Sequence, residues 1–76
     1  MRQRPFPAIP FARKSLARKI IRRRRAAGLT QADLARRAGI RAETLNRIER
    51  ARVSADVGTV EKIVRALEKA ESEATP

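Results

Sequence analysis

The sequence predicts an all-α domain of four short helices. Two observations carry that expectation. Apolar residues recur at three- and four-residue spacing in four separate segments, the period of a helix with one buried face. No segment shows the strict alternation of a half-buried strand. Glycines and capping residues fall between the four segments, so the ends of the helices are marked as well as their faces.

Residues 1–10 contain Pro5, Pro7 and Pro10. Proline fixes an extended local geometry and breaks helices, so this stretch is expected to be a flexible basic arm. The folded domain is expected over 11–70, with 71–76 a frayed tail. The first helix is expected to start at Phe11 or Ser15, with Ser15 a candidate N-cap, and to reach Ala27. Leu16, Ile20 and Ala27, flanked by Ala17 and Ile21, form its stripe. Gly28 follows, where a helix end favours a left-handed residue.

The second helix is marked at both ends. Thr30 is a good N-cap and Asp33, three residues on, completes a shortened capping box. Leu34, Ala35 and Ala38 face inward and Gly39 ends the helix. The third helix is expected from Ala42 to Arg50, with Leu45 and Ile48 as its apolar pair. Only Gly39, Ile40 and Arg41 separate helices two and three. So short a linker, opening on glycine, makes two short helices cross steeply, which is a helix-turn-helix unit over about 30–50. Asp56 can cap the fourth helix, expected from Val57 to Ala70 with Val57, Val60, Ile63, Val64 and Leu67 as its stripe.

Composition narrows the chemistry. The chain has 76 residues, with neither Cys nor His. Disulfides and Cys/His zinc sites are therefore excluded, as are the Ser-His and Cys-His nucleophile pairs. No metal or other cofactor is expected. A core of this size rarely supplies more than about 3–5 kcal/mol, so stability is expected from helix packing, which a dimer partner can supplement. The formal net charge is +11, from 19 basic and 8 acidic residues. The first 32 residues hold ten of the cations and no acid. Such polarity points to a polyanion partner, nucleic acid or an anionic surface. No apolar run approaches the roughly 18–20 residues of a membrane span, and without an apolar h-region near Met1 no secretory signal is expected. Phe6 and Phe11 are the only aromatics, too few for the stacking platforms of single-strand readers. A chain this short, with no phosphate-cradling loop and no paired carboxylates on a shared face, is not expected to be an enzyme.

The stretch Gly28-Leu29-Thr30-Gln31-Ala32-Asp33-Leu34-Ala35-Arg36-Arg37-Ala38-Gly39-Ile40 closely resembles the signature of the XRE (phage Cro/lambda-repressor-like) helix-turn-helix family. Thr44-Leu45, Arg47-Ile48-Glu49 and the segment from Thr59 to Leu67 continue the likeness, which covers about residues 16–70. Single elements of this pattern are weak; the ordered set with its spacings intact is specific. The resemblance implies a compact four-helix, lambda-repressor-like domain with a basic N-terminal extension. It implies a DNA-binding repressor, not an enzyme, with the third helix in the major groove of double-stranded DNA.

Matched position by position, Ala42, Glu43, Thr44 and Arg47 become the base readers. Alanine and threonine methyls suit thymine, Glu43 can accept from cytosine, and Arg47 can fork onto guanine. Glu43 has a second reading, as a solvent-facing partner of Arg47 one turn away. Thr30, Gln31, Arg41, Arg50 and Arg52 match positions that touch phosphate, which place the protein without reading sequence. The three arginines have solvated surface as their alternative reading, and Thr30 is a cap first. The resemblance also implies an ion pair between Arg24 and Glu49, clamping the recognition helix to helix one.

Three departures from the pattern stand out. Ala51 replaces the usual glycine after the recognition helix, and a left-handed alanine there costs roughly 1–2 kcal/mol. Arg41 replaces the usual Ser or Thr cap. The fifth helix that often forms the dimer contact is not matched, which leaves helix four, its tail or the arm for a homodimer. A cytoplasmic, nucleoid-associated regulator is the resulting expectation. The alternative is an antitoxin that also binds a cognate toxin protein, and a nonspecific polyanion or membrane-surface binder is the third reading.

Overall fold

The computed structural model describes residues 9–74, with side chains from Ala12 onward. It contains four helices: α1 (Ile9–Ala26), α2 (Gln31–Ala38), α3 (Ala42–Glu49) and α4 (Val57–Ala74). No strand occurs among the described residues.

α1 begins earlier than either expected start. Pro10 lies in its first turn, where the missing N–H has no helical partner to lose and the fixed φ suits a helix. Ser15 is consequently inside the helix and caps nothing. The rest of the arm expected over 1–10 lies outside the described residues. α4 continues to Ala74, beyond the expected end at Ala70. Its last turn is held by two ion pairs, Arg23 to Glu71 at 2.8 Å and Arg37 to Glu73 at 2.9 Å. The Glu71 carboxyl is held below the usual range by its hydrogen bond from Arg23, and the Arg23 guanidinium is raised in turn by Glu71.

One core joins all four helices. Ile20 from α1 meets Leu34, Ala35 and Ala38 from α2, Leu45 and Ile48 from α3, and Ile63, Ala66 and Leu67 from α4. Val57 is an exception to the expected α4 stripe, since 75% of its surface is exposed. It lies six residues before Ile63, and at 100° per residue that turns it about 120° away from the core.

α1, α2 and α3 end in the same backbone device. The left-handed residue donates to a carbonyl three back and the next residue to one five back, which is a Schellman motif. Gly28 and Leu29 donate to Arg25 and Arg24, and Gly39 and Ile40 to Arg36 and Ala35. Ala51 and Arg52 donate to Ile48 and Arg47 in the same way. Leu29 and Ile40 pack on the core, as the apolar member of this motif does. The third copy departs twice: its left-handed residue is Ala51, at φ 58°, and its following residue is the exposed Arg52.

Helix starts are also satisfied. The Thr30 hydroxyl accepts from the Asp33 N–H at 3.0 Å, while Asp33 accepts from the Thr30 N–H at 3.2 Å. Asp56 caps α4 by accepting from the Thr59 N–H at 2.7 Å. α3 has no side-chain cap, because Arg41 stands at that position.

Two outcomes follow from these ends. Replacing Ala51 with Gly relieves a Cβ clash worth roughly 1–2 kcal/mol and returns part of it as unfolded-chain entropy. A net gain of about 0.5–1 kcal/mol is expected, read as a rise of several degrees in Tm by circular dichroism. The second concerns acid. Hydrogen bonds from Thr30, its hydroxyl foremost, lower the Asp33 pKa, and those from Thr59 lower that of Asp56. A carboxylate lowered on folding contributes stability above its unfolded value and loses it as pH falls through the folded one. Tm should therefore stay level above the ordinary values of 3.8 for Asp and 4.5 for Glu and drop below them. Asp33→Asn should flatten that acid limb.

Candidate nucleic-acid interface

The three-residue turn from Gly39 to Arg41 sets α3 across the end of α2. Leu45 and Ile48 are buried, so the period of the helix turns positions 43 and 47 outward. Ala42, Glu43 and Arg47 are exposed and Thr44 is half-buried at the edge of the same face. Arg47 Nη2 lies 3.2 Å from Glu43 Oε2, with side chains 58% and 67% exposed. This is the geometry of the second reading of Glu43: it faces solvent and it steadies Arg47. A pair this exposed adds little to stability, so breaking it to meet a ligand is easy.

Behind α3 lies a different kind of chemistry. Arg24 and Glu49 form a bidentate pair, Nε to Oε2 at 2.8 Å and Nη2 to Oε1 at 3.0 Å. Their side chains are only 12% and 3% exposed. The third arm of the guanidinium, Nη1, donates to the Leu29 carbonyl at 2.9 Å. Gln31 Nε2 donates to Glu49 Oε1 at 2.9 Å, and Asn46 Nδ2 donates to Gln31 Oε1 at 3.2 Å. The end of α1, the turn after it, the start of α2 and the inner side of α3 are thereby joined through one buried carboxylate.

The residues expected at phosphate fall into two groups. Arg41, Arg50 and Arg52 are exposed, one just before α3 and two just after it. None is in an ion pair among the described residues. Thr30 and Gln31 are committed within the domain, Thr30 to the capping box and Gln31 to Glu49 and Asn46. Sequence reasoning passed over Asn46, although it lies three residues before Glu49 and hence on the same side of α3. It also passed over Arg13, whose Nε donates to the Ser54 hydroxyl at 2.8 Å and ties α1 to the α3–α4 loop. That contact joins residues 41 apart and has no local signature.

Four helices in this order, with a three-residue turn before an outward-facing α3, define a helix-turn-helix DNA-binding domain. The helix-turn-helix family model matches residues 20–73, and the chain belongs to the XRE-like branch of that family. No curated protein and no solved structure matches the chain. Membership makes it a DNA-binding regulator of the XRE type. Among the described residues no helix is long and apolar enough to cross a membrane.

Glu49→Ala leaves Arg24 buried without its partner and strands the Gln31 amide, a loss of about 3–5 kcal/mol for a well-buried pair. That is comparable to the whole stability of so small a core. The variant should be largely unfolded at 25 °C by circular dichroism, with Glu49→Gln intermediate. An unchanged melting curve would remove the structural role.

Proposed function

We propose that the chain is a sequence-specific transcriptional repressor that reads the major groove through α3. Ala42, Glu43, Thr44 and Arg47 read base edges; Arg41, Arg50 and Arg52, with Thr30 and Gln31 at the start of α2, hold phosphates. The observation that supports this reading best is the outward face of α3. It carries a fork-shaped guanidinium with only an exposed carboxylate as partner, and cations flank both ends of the helix. A guanidinium so placed can make the bidentate contact to guanine, with Glu43 free to turn to a cytosine amino group.

Thr30 and Gln31 act on phosphate through the α2 terminus they build, where helix polarity favours an anion. The chain works as a homodimer on a two-fold operator, the usual arrangement for such modules. Val53 and Val57, the exposed large apolar residues among those described, lie in the α3–α4 loop and at the start of α4 and are the natural place for a second copy to pack.

The test is fluorescence anisotropy on duplex DNA from upstream of the protein's own gene, against a scrambled duplex, over a range of salt. Own-promoter DNA should bind about 10³-fold more tightly near physiological salt. Arg47→Ala should cost about 1–3 kcal/mol on the operator while leaving scrambled DNA nearly unaffected. Equal binding of both duplexes, on one steep salt slope, would reduce the interaction to counterion release and remove the sequence-specific reading.

A further inference from the structure

The side of α1 that faces away from the core is a second charged surface. The helix carries eight cations and no acid. Three are committed inside the domain: Arg23 to Glu71, Arg24 to Glu49 and Arg13 to Ser54. The other five, Lys14, Arg18, Lys19, Arg22 and Arg25, are exposed. None of them is in an ion pair among the described residues. Lys14, Arg18, Arg22 and Arg25 follow one another by four, four and three positions, which aligns them in a single row. At 100° per residue the row lies opposite Ile20, the buried residue that points into the core. It is about 16 Å long at 1.5 Å per residue.

We propose that this row binds the phosphate backbone of a duplex segment other than the one read by α3, so that one molecule holds two segments of DNA. The inference rests on the preceding reading only in taking α3 as the first duplex site. α1 and α3 pack against each other through the Arg24–Glu49 pair, and each turns its exposed face away from that contact. The row is centred about 120° around the α1 axis from Arg24, so it lies outside the α1–α3 contact and is available to a separate segment of duplex.

The chemistry of the row favours a polyphosphate over other polyanions. Each strand of duplex DNA presents a charge about every 3.4 Å of axis, so a row of this length faces roughly five phosphates of one strand, enough to engage every cation in it. A protein partner needs buried apolar or aromatic anchors at the centre of its interface. A membrane-lying helix needs a bulky apolar face. Among the described residues this side of α1 offers only Ile21, half-buried, beside small alanines. The other cluster of cations, Arg37, Lys62, Arg65 and Lys69 between α2 and α4, is a weaker candidate. Arg37 is bound to Glu73, and Glu61 and Glu68 lie on the same helix as the other three.

Two variants separate the surfaces. Arg47→Glu repels DNA from α3, and R18Q/R22Q/R25Q removes three cations from the row. Both are first checked for unchanged helicity. With a scrambled duplex, Arg47→Glu should keep binding, and adding the three glutamines should abolish it. On the wild-type background, the three glutamines should leave operator affinity within about threefold. Capture of a labelled second duplex by protein held on an immobilised operator should fall at least tenfold. R18K/R22K/R25K, which keeps the charge, should restore capture. On the scrambled duplex, losing three phosphate contacts should lower the slope of log K against log salt by about 3.

The proposal is overturned if Arg47→Glu alone abolishes all duplex binding. It is overturned equally if the glutamines weaken operator binding and capture in parallel, since both surfaces would then serve one duplex. Vesicles of three parts phosphatidylcholine to one part phosphatidylserine should not displace DNA from Arg47→Glu protein at equal phosphate. Displacement would assign the row to a lipid surface instead.

Discussion

Glu49 is a carboxylate closed off from water in a chain of only 76 residues, and the placement of α3 depends on it. A buried charge is tolerated only when its oxygens are occupied, and here Arg24 and Gln31 occupy them. Each of those partners belongs to a different part of the fold. Arg24 comes from the end of α1 and also holds the Leu29 carbonyl, while Gln31 opens α2 and receives a hydrogen bond from Asn46 of α3. The recognition helix is thus oriented from behind, by groups that face away from its outer surface. Its outward residues make no contribution to the core, so they are free to differ without disturbing the way the helix is mounted.

The second constraint is how the helices stop. A small domain needs abrupt reversals, and three of its helices make them with the same pair of backbone hydrogen bonds. Twice the left-handed position is glycine and the next residue drives an apolar side chain into the core. After α3 the same geometry is held by Ala51 and followed by an arginine. Here the chain accepts a strained backbone and forgoes an apolar contact, while two exposed cations, Arg50 and Arg52, stand at the very end of the recognition helix. The strain is local to the loop that leads from α3 to the exposed Val53.

Much of this was legible in the sequence because it is local. Thr30 with Asp33, Gly28, Gly39 and Asp56 mark helix ends through bonds that reach only a few residues, and the helical period alone turns positions 43 and 47 outward. The features that escaped depend on distant residues or on competing local rules. Pro10 reads as a breaker, yet in a first turn it is harmless. The last turn of α4 reads as fraying, yet Glu71 and Glu73 are anchored to Arg23 and Arg37, which are 48 and 36 residues away. Val57 fits an apolar stripe by type but not by angle. The site divides in the same way. Its outward face follows from periodicity, whereas the joining of Gln31 and Asn46 to the buried pair depends on how α2 and α3 cross.

All five ion pairs of the described residues use arginine, and none uses lysine. A guanidinium offers two parallel donors to a carboxylate, which suits it to the clamps at Glu49 and Glu71. The four lysines, Lys14, Lys19, Lys62 and Lys69, are all on solvent-facing helix surface. The division has a chemical corollary, because amine acylation acts on lysine and spares arginine. Full acylation of the lysine side chains would remove four positive charges from a net of +11 without breaking an ion pair. Two of the four lie on α1. The electrostatic pull of the domain on polyanions can in this way be turned down in steps while its scaffold stays intact.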